Sequence, residues 1–194
     1  MLTFFTRSQF VIGSTLVLLV IGTRGHHFAT LYDLPGASWA VFFLAGVYLR
    51  SRWALPGLLA LTWVLDFVAY TWGGVSGFCL TRAYLFLLPA YGALWLTGCW
   101  YAGQYRFEWR TLLPLAGAML VGAVICELFS SGGFYFFSGR FAETSLLEFG
   151  GRLQSYFPGS LQSVTFYVGI ATVVHMLFGL VSRVTSVRNT TESA

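Results

Sequence analysis

The chain has 194 residues, of which 57% are hydrophobic and only 9% are charged. A soluble domain carries about 25% charged residues, so the outer surface of this protein must be largely apolar and must face lipid. The formal charge of +4 comes from eleven scattered arginines, which excludes the clustered basic face that is typical of nucleic-acid binding.

Six apolar runs, separated by Gly and Pro, predict six transmembrane helices. They lie at about 8–24, 36–50, 53–71, 81–102, 110–131 and 160–182. Because a span needs about 20 apolar residues, six spans and their connections fill residues 1–194 as a single transmembrane domain. We therefore predict an all-α membrane protein, a bundle of six transmembrane helices.

Local signals refine several of these spans. The first run ends at Arg24 without the small-residue cleavage site of a signal peptide, which predicts a retained helix. Pro56 and Pro114 fall in the first turns of spans three and five, where proline removes no helix hydrogen bond. Pro89 lies inside span four and predicts a kink there.

The arginines also predict an orientation. With the N-terminus in the cytoplasm, the inner segments hold Arg7, Arg50, Arg52, Arg106, Arg110, Arg183 and Arg188. The outer connections then hold Arg24, Arg82, Arg140 and Arg152. Because cytoplasmic segments carry the excess of arginine, we predict that both chain termini are cytoplasmic.

Three longer connections then share the outer side, at about 24–36, 71–81 and 131–160. Long loops on one face commonly form a binding site or a lid. For residues 145–157 the sequence leaves open whether they lie along the membrane surface, cap such a site, or form a plain connecting loop.

Several polar residues belong to the outer level of the predicted bundle, and ionisable groups in a bilayer usually face a cavity or a partner. They are Asp66, Cys79, Arg82, Tyr84, Glu127, His26 and His27. Two interpretations are open: an ion pair between Asp66 and Arg82, or a polar pocket that opens to the outside.

Cys79 occupies the most unusual position, at the end of a glycine-rich turn and just before a predicted helix. A helix N-terminus and the neighbouring Arg82 both favour the thiolate form of a cysteine. A thiolate is a good ligand for a soft metal ion. Cys99 and Cys126 lie within spans and are expected to be small packing residues.

The same turn matches a protease pattern. Gly74-Val75-Ser76-Gly77 fits the Gly-x-Ser-Gly of rhomboid intramembrane serine proteases, which keep their catalytic base in the last span, where this chain has His175. Nucleophile and base must come within hydrogen-bond reach, yet His175 lies about 15 residues, or roughly 22 Å, into span six. The rhomboid His and Asn pair is also missing from span two. His175 is therefore expected to be a packed or hydrogen-bonded histidine.

The layout of six helices, short inner turns and long outer loops resembles the substrate-binding (S) components of energy-coupling-factor transporters. The segment Val75-Ser76-Gly77-Phe78-Cys79-Leu80-Thr81-Arg82-Ala83-Tyr84, together with Asp66 and His27, is similar to the BtuM family of solitary cobalamin S-components. The resemblance implies a multi-pass protein of the bacterial inner membrane that binds cobalamin as its transported substrate.

The resemblance also implies roles for individual residues. Cys79 would provide a thiolate as axial cobalt ligand in place of the dimethylbenzimidazole of the vitamin, and would be the catalytic residue if the protein removes cyanide from cyanocobalamin. Hydrogen bonds to the corrin amides would come from His27, Asp66, Tyr84 and Arg152. The macrocycle faces would be covered by Phe78, Tyr135, Phe136 and Tyr156.

One departure concerns the energy source. S-components that share an energising module usually carry Ala-x-x-x-Ala on the first helix, where small residues allow close helix packing. Residues 1–28 contain no alanine, so docking to such a module is doubtful, in agreement with a solitary component. The chain also lacks a Walker motif, so it is not expected to hydrolyse ATP itself.

Overall fold

A computed structural model describes residues 7–24, 35–49, 51–72 and 82–192, with side chains described up to residue 181. Within these ranges the chain is helical and contains no β-strand. The α-helices are α1 (Arg7–Arg24), α2 (Ser38–Tyr48), α3 (Ala54–Trp72), α4 (Leu87–Gln104), α5 (Leu112–Phe137) and α6 (Leu146–Glu192). Two 3-10 turns, Arg82–Phe86 and Trp109–Thr111, lead into α4 and α5.

Among the described residues, four helical segments are long and apolar enough to cross a membrane. They are Ala54–Trp72, Arg82–Gln104, Trp109–Phe137 and Leu146–Val181. Large apolar side chains cover their outer surfaces, as expected when the surrounding solvent is lipid. The protein is therefore a multi-pass membrane protein, as its composition predicted. The predicted spans one and two correspond to α1 and to α2, an apolar helix of only 11 residues.

The short helix α2 forms the centre of the bundle. Every residue from Ala40 to Gly46 is buried, and the Phe42 ring stacks on Tyr91 of α4 at a centroid distance of 4.2 Å. Gly46 and Gly98 mark the point where α2 and α4 touch, because a Cβ on either glycine would collide with the backbone of the other helix. Small residues allow this close approach between helices in a membrane.

Prolines explain where α3, α4 and α5 begin. Pro56 and Pro114 occupy the first turns of α3 and α5, as predicted. Pro89, predicted to kink span four from inside, lies instead in the first turn of α4, just after the chain changes from a 3-10 turn to an α-helix at Leu87. Proline has no N–H to bond the carbonyl of Leu85 in α-helical geometry, which favours 3-10 geometry just before it.

The expected long connection at 131–160 is mostly helical. Helix α5 continues to Phe137 and α6 begins at Leu146, which leaves only residues 138–145 between them. Helix α6 has 47 residues and contains Pro158, so it is about 70 Å long and exceeds the ~30 Å thickness of the hydrocarbon core. Residues 146–157 are thus the first turns of a helix and not a plain loop.

Candidate functional site

Asp66 and Arg24 form a two-pronged ion pair at one end of the bundle. The Arg24 Nε donates to Asp66 Oδ1 at 2.8 Å, and Nη2 donates to Oδ2 at 2.7 Å. The two side chains are only 14% and 19% exposed. A parallel pair of this kind fixes the orientation of both groups, so α1 and α3 are joined at this level.

Two tyrosines and a serine complete this Asp66 cluster. The Tyr84 hydroxyl donates to Asp66 Oδ2 at 2.9 Å. The Arg24 Nη1 donates to the Ser38 hydroxyl at 3.0 Å and to the Tyr91 hydroxyl at 3.2 Å. The cluster therefore joins the C-terminal half of α3, the end of α1, the start of α2, and the 3-10 turn with α4. We call this side of the molecule the Asp66 end.

The structure brings together two of the predicted site residues and gives a third a different partner. Asp66 and Tyr84 are hydrogen-bonded to each other. Arg152 instead pairs with Glu148 in α6. The remaining two, His27 and Cys79, lie outside the described residues, as do His26, Ser76 and Phe78.

Of the two interpretations that the sequence left open, the ion pair between Asp66 and Arg82 is wrong. Both carboxylate oxygens of Asp66 accept hydrogen bonds from Arg24, whereas the Arg82 side chain is exposed. Sequence reasoning assigned Arg24 only to membrane topology. Its partner is 42 positions further along the chain, so no local pattern signals the pairing.

A second polar group sits where α5 meets the first turns of α6. The Tyr135 hydroxyl donates to Glu148 Oε2 at 2.9 Å and accepts from the backbone N–H of Ser145 at 3.0 Å. Arg152 donates to Glu148 Oε1, and its guanidinium lies 4.6 Å from the centre of the Phe141 ring. Both oxygens of the Glu148 carboxylate therefore accept hydrogen bonds, one from Tyr135 and the other from Arg152.

The 3-10 turn Arg82–Phe86 lies between these two groups. Its Tyr84 reaches Asp66, while the Phe86 ring stacks on Phe137 at 4.8 Å. Phe86 also packs so closely against Gly133 of α5 that a Cβ at this glycine would overlap the ring. The turn that follows residues 73–81 is therefore fixed on both sides by described side chains.

Glu127 and Cys126 are buried in α5. Glu127 is 3% exposed, and its carboxylate accepts a hydrogen bond from the Ser131 hydroxyl one turn later. Cys126 is fully buried within the apolar core, which confirms the expectation of a packing residue. In the described structure, neither side chain forms a hydrogen bond with a residue of the Asp66 cluster.

His175 belongs to the opposite end of the bundle. Its Nε2 lies 2.9 Å from the Tyr105 hydroxyl, and its ring packs edge-on to Tyr105 and beside Tyr48. This confirms the expected hydrogen-bonded histidine. We call this side of the molecule the His175 end.

Each end has a cavity. A cavity of about 320 Å³ beside the Asp66 cluster is lined by Tyr84, Tyr91 and apolar residues of α3 and α4. A cavity of about 470 Å³ at the His175 end lies between α2, α4, α5, α6 and the connection 105–111. Within the described ranges, no three His, Cys, Asp or Glu side chains are grouped as metal ligands.

No protein-family model matches this chain, and no curated protein matches it.

Proposed function

We propose that this protein captures cobalamin at its Asp66 end and takes it up across the bacterial inner membrane, as a solitary S-component similar to the BtuM family. The observation that carries the proposal is the contact between Asp66 and Tyr84, two residues that the resemblance implies for the vitamin site. They meet at 2.9 Å, although 18 positions separate them in the sequence.

The chain order supports a single site around this contact. His27 follows Arg24 by three residues, and Cys79 precedes Tyr84 by five. Both segments therefore leave from residues of the Asp66 cluster. The cavity of about 320 Å³ at Tyr84 and Tyr91 is at the lower limit of ligand pockets, which measure about 300–1,000 Å³. Residues 25–34 and 73–81 would supply the rest of the enclosure.

Cys79 is the proposed metal-binding residue of this site. A cysteine thiolate is a soft ligand, and in cobalamin it would occupy the lower axial position of cobalt. Because the nucleotide base of the vitamin normally occupies that position, the bound vitamin would be held base-off. Asp66, Tyr84 and His27 would accept or donate hydrogen bonds at the amide groups of the corrin rim.

Arg152 has a different proposed role from the one implied by the resemblance. Its guanidinium is held by Glu148 and by the aromatic rings of Tyr135 and Phe141. These contacts attach the first turns of α6 to α5. We infer that this segment caps the site, with the exposed Tyr156 available to cover the macrocycle.

The absorption spectrum of the purified full-length protein tests the proposal. After growth with cobalamin, the wild type should carry a base-off corrinoid spectrum with a thiolate charge-transfer contribution. Cys79→Ala should lose this signature or the ligand, whereas Cys99→Ala is the matched control and should keep both. Identical cobalamin binding by wild type and Cys79→Ala would refute the assignment of the metal ligand.

Removal of cyanide from cyanocobalamin is a further expected activity of the same site. An external reductant would supply one electron to convert Co(III) to Co(II), and cyanide would leave as the anion with both electrons of the Co–C bond. Thiolate donation from Cys79 weakens the bond to the opposite ligand. Incubation of the protein with cyanocobalamin and reductant should give a spectral change that Cys79→Ala abolishes.

The proposal includes six membrane-crossing segments with both termini in the cytoplasm. Helix α2 spans only about 17 Å, but it is enclosed by protein, where short or irregular segments are tolerated. Exposed tryptophans near helix ends, such as Trp53, Trp72 and Trp109, fit the aromatic belts of a membrane protein. Reporter fusions at residues 52 and 140 should report the cytoplasm and the outside, respectively.

Helix α1 agrees with a solitary component. Its buried residues are Leu16, Val20 and Thr23, and its outward surface carries large side chains such as Phe10 and Leu18. A stripe of small residues for close docking of an energising module is absent from Arg7–Arg24. Cells that express this protein but lack an energising module should therefore still take up cobalamin.

The geometry disfavours the rhomboid alternative. His175 contacts Tyr105 beyond the C-terminal end of α4, while Ser76 precedes the turn that leads into its N-terminal end. Helix α4 alone spans about 27 Å, and the six residues from Ser76 to Arg82 reach at most about 20 Å. A fluorogenic transmembrane-peptide assay that compares wild type with Ser76→Ala should detect no serine-dependent cleavage.

A further inference from the structure

The cavity of about 470 Å³ at the His175 end plays no part in the proposed capture of cobalamin. Its walls come from four helices and from the connection 105–111. Most of the lining is apolar, including Leu44, Leu115 and Val168. An apolar cavity of this size with a few polar groups has the character of a ligand site.

The cavity reaches the surface that faces the membrane. Three of its lining side chains, Leu112, Met176 and Leu180, are 42%, 40% and 54% exposed. Leu112 begins α5, and the other two lie on α6, so the opening falls between these helices. An apolar chain can therefore enter from the surrounding lipid without crossing an aqueous phase.

The rim of the cavity carries the signs of a membrane–water interface. Trp109 is 78% exposed and lies under the Arg110 guanidinium, 5.9 Å from the ring centre. Arg106 is exposed and lies one position before the lining residue Phe107. Tryptophan marks the headgroup level of a bilayer, and two arginines at this level favour an anionic headgroup.

The connection that carries these groups is held in a defined shape. The Thr111 hydroxyl donates to the backbone carbonyls of Arg106 at 3.0 Å and Glu108 at 2.7 Å. The Glu108 N–H in turn donates to the Arg106 carbonyl at 2.7 Å. Glu108 also lines the cavity, and its carboxylate is an acceptor, so this residue suits a headgroup that carries hydroxyl donors beside its phosphate.

We propose that this cavity binds one acyl chain of an anionic glycerophospholipid, whose phosphate is bound by Arg106 and Arg110. The apolar interior accepts the chain, and the polar groups of Tyr105 and His175 lie within reach of the ester carbonyls. A headgroup with hydroxyl groups, as in phosphatidylglycerol, satisfies both the arginines and Glu108. The site does not depend on whether the protein binds cobalamin.

Native mass spectrometry of the full chain, released from nanodiscs with equal amounts of phosphatidylglycerol and phosphatidylcholine, tests the headgroup. The wild type should retain phosphatidylglycerol preferentially. Since a basic residue near an anionic lipid surface contributes about 1 kcal/mol, Arg106→Gln and Arg110→Gln should each reduce the preference about fivefold. Arg140→Gln, an exposed arginine outside this cavity, is the matched control and should keep it.

A second measurement locates the bound acyl chain, and its main result comes from the wild-type protein. Phosphatidylglycerol with a photoreactive diazirine near the end of one acyl chain should label residues of the cavity wall, such as Thr172 and Met176. Met176→Trp, which fills the opening, should reduce that labelling at least tenfold. Labelling spread evenly over the outer helix surfaces would overturn the proposal.

The remaining outcomes also decide the matter. Equal retention of both lipids, or a preference that both arginine variants leave unchanged, would refute an anionic headgroup site. Loss of lipid preference in the arginine variants without labelling of the cavity would indicate a surface patch and would overturn the acyl-chain assignment. Protection of the cavity wall only on dimer formation would assign the space to a second copy of the chain.

Discussion

Among the described arginines, we expect Arg24 to contribute most to the stability of the fold, because it holds the Asp66 cluster together. Replacing it with glutamine removes both hydrogen bonds to Asp66 and the bonds to Ser38 and Tyr91. The Asp66 carboxylate, 19% exposed, then keeps only the hydroxyl of Tyr84 as a described donor. A charged group with little access to water loses much of its stabilisation in this state.

The structure sets the size of the effect. Breaking a buried ion pair by removing one partner costs about 3–5 kcal/mol, and the residual exposure of this pair favours the lower end, about 3 kcal/mol. The matched control is Arg152→Gln. Its partner Glu148 is 50% exposed, and an exposed pair of this kind contributes less than about 1 kcal/mol.

Denaturant unfolding in detergent micelles, followed by fluorescence of the seven tryptophans, measures both free energies. A double-mutant cycle of Arg24→Gln and Asp66→Asn isolates the pair, and we expect a coupling energy of about 2 kcal/mol. Two results would refute the reasoning. One is equal destabilisation by Arg24→Gln and Arg152→Gln, and the other is additivity of the two cluster substitutions within about 0.5 kcal/mol.

Three other predictions follow from single contacts. Gly98→Ala should destabilise the fold by about 3 kcal/mol, because the added Cβ meets the backbone of α2. In the control Gly57→Ala the added Cβ meets nothing within 4 Å, so this variant should be stabilised by up to about 1 kcal/mol. Equal thermal unfolding temperatures of the two variants would contradict this. Tyr84→Phe removes the hydrogen bond to a carboxylate and should cost about 1.5 kcal/mol, together with roughly tenfold in cobalamin affinity; an unchanged equilibrium titration would exclude it from the site. Tyr105→Phe leaves His175 without that hydroxyl and should cost about 1 kcal/mol without any change in cobalamin binding.

The sequence predicts the helices well where apolar runs meet clear breakers. The first and third predicted spans agree with Arg7–Arg24 and Ala54–Trp72 to within one residue. The prediction failed for span five, which was expected to end at about residue 131. In the structure α5 continues to Phe137, and Gly132 and Gly133 lie inside it, where they make room for the rings of Phe149 and Phe86. A glycine that allows close packing and a glycine that ends a helix look the same in a sequence.

The candidate site was also predicted only in part from the sequence. Asp66 and Tyr84 were predicted from the membrane depth of a carboxylate and from a family resemblance, and their contact is present. The partner of Asp66 was not predicted, because Arg24 ends a different helix and pairing across 42 positions depends on how the helices pack. The ion pair of Arg152 with Glu148 was not predicted either. The two residues are four positions apart and meet because residues 146–157 are helical.

In the proposed site, the residues that stabilise the fold are different from the residue that binds cobalt. Arg24 fixes Asp66 and the ends of α1 and α2, from which the segment with His27 leaves, while Tyr84 fixes the turn that follows Cys79. Substitutions in this cluster should therefore weaken stability and ligand capture together. A thiolate that only binds cobalt contributes nothing to the ligand-free fold, so Cys79→Ala should change the corrinoid spectrum while leaving the unfolding midpoint of the ligand-free protein unchanged. A preformed capture site therefore requires that Arg24→Gln lowers both the unfolding midpoint and ligand capture, while Cys79→Ala changes only the corrinoid spectrum.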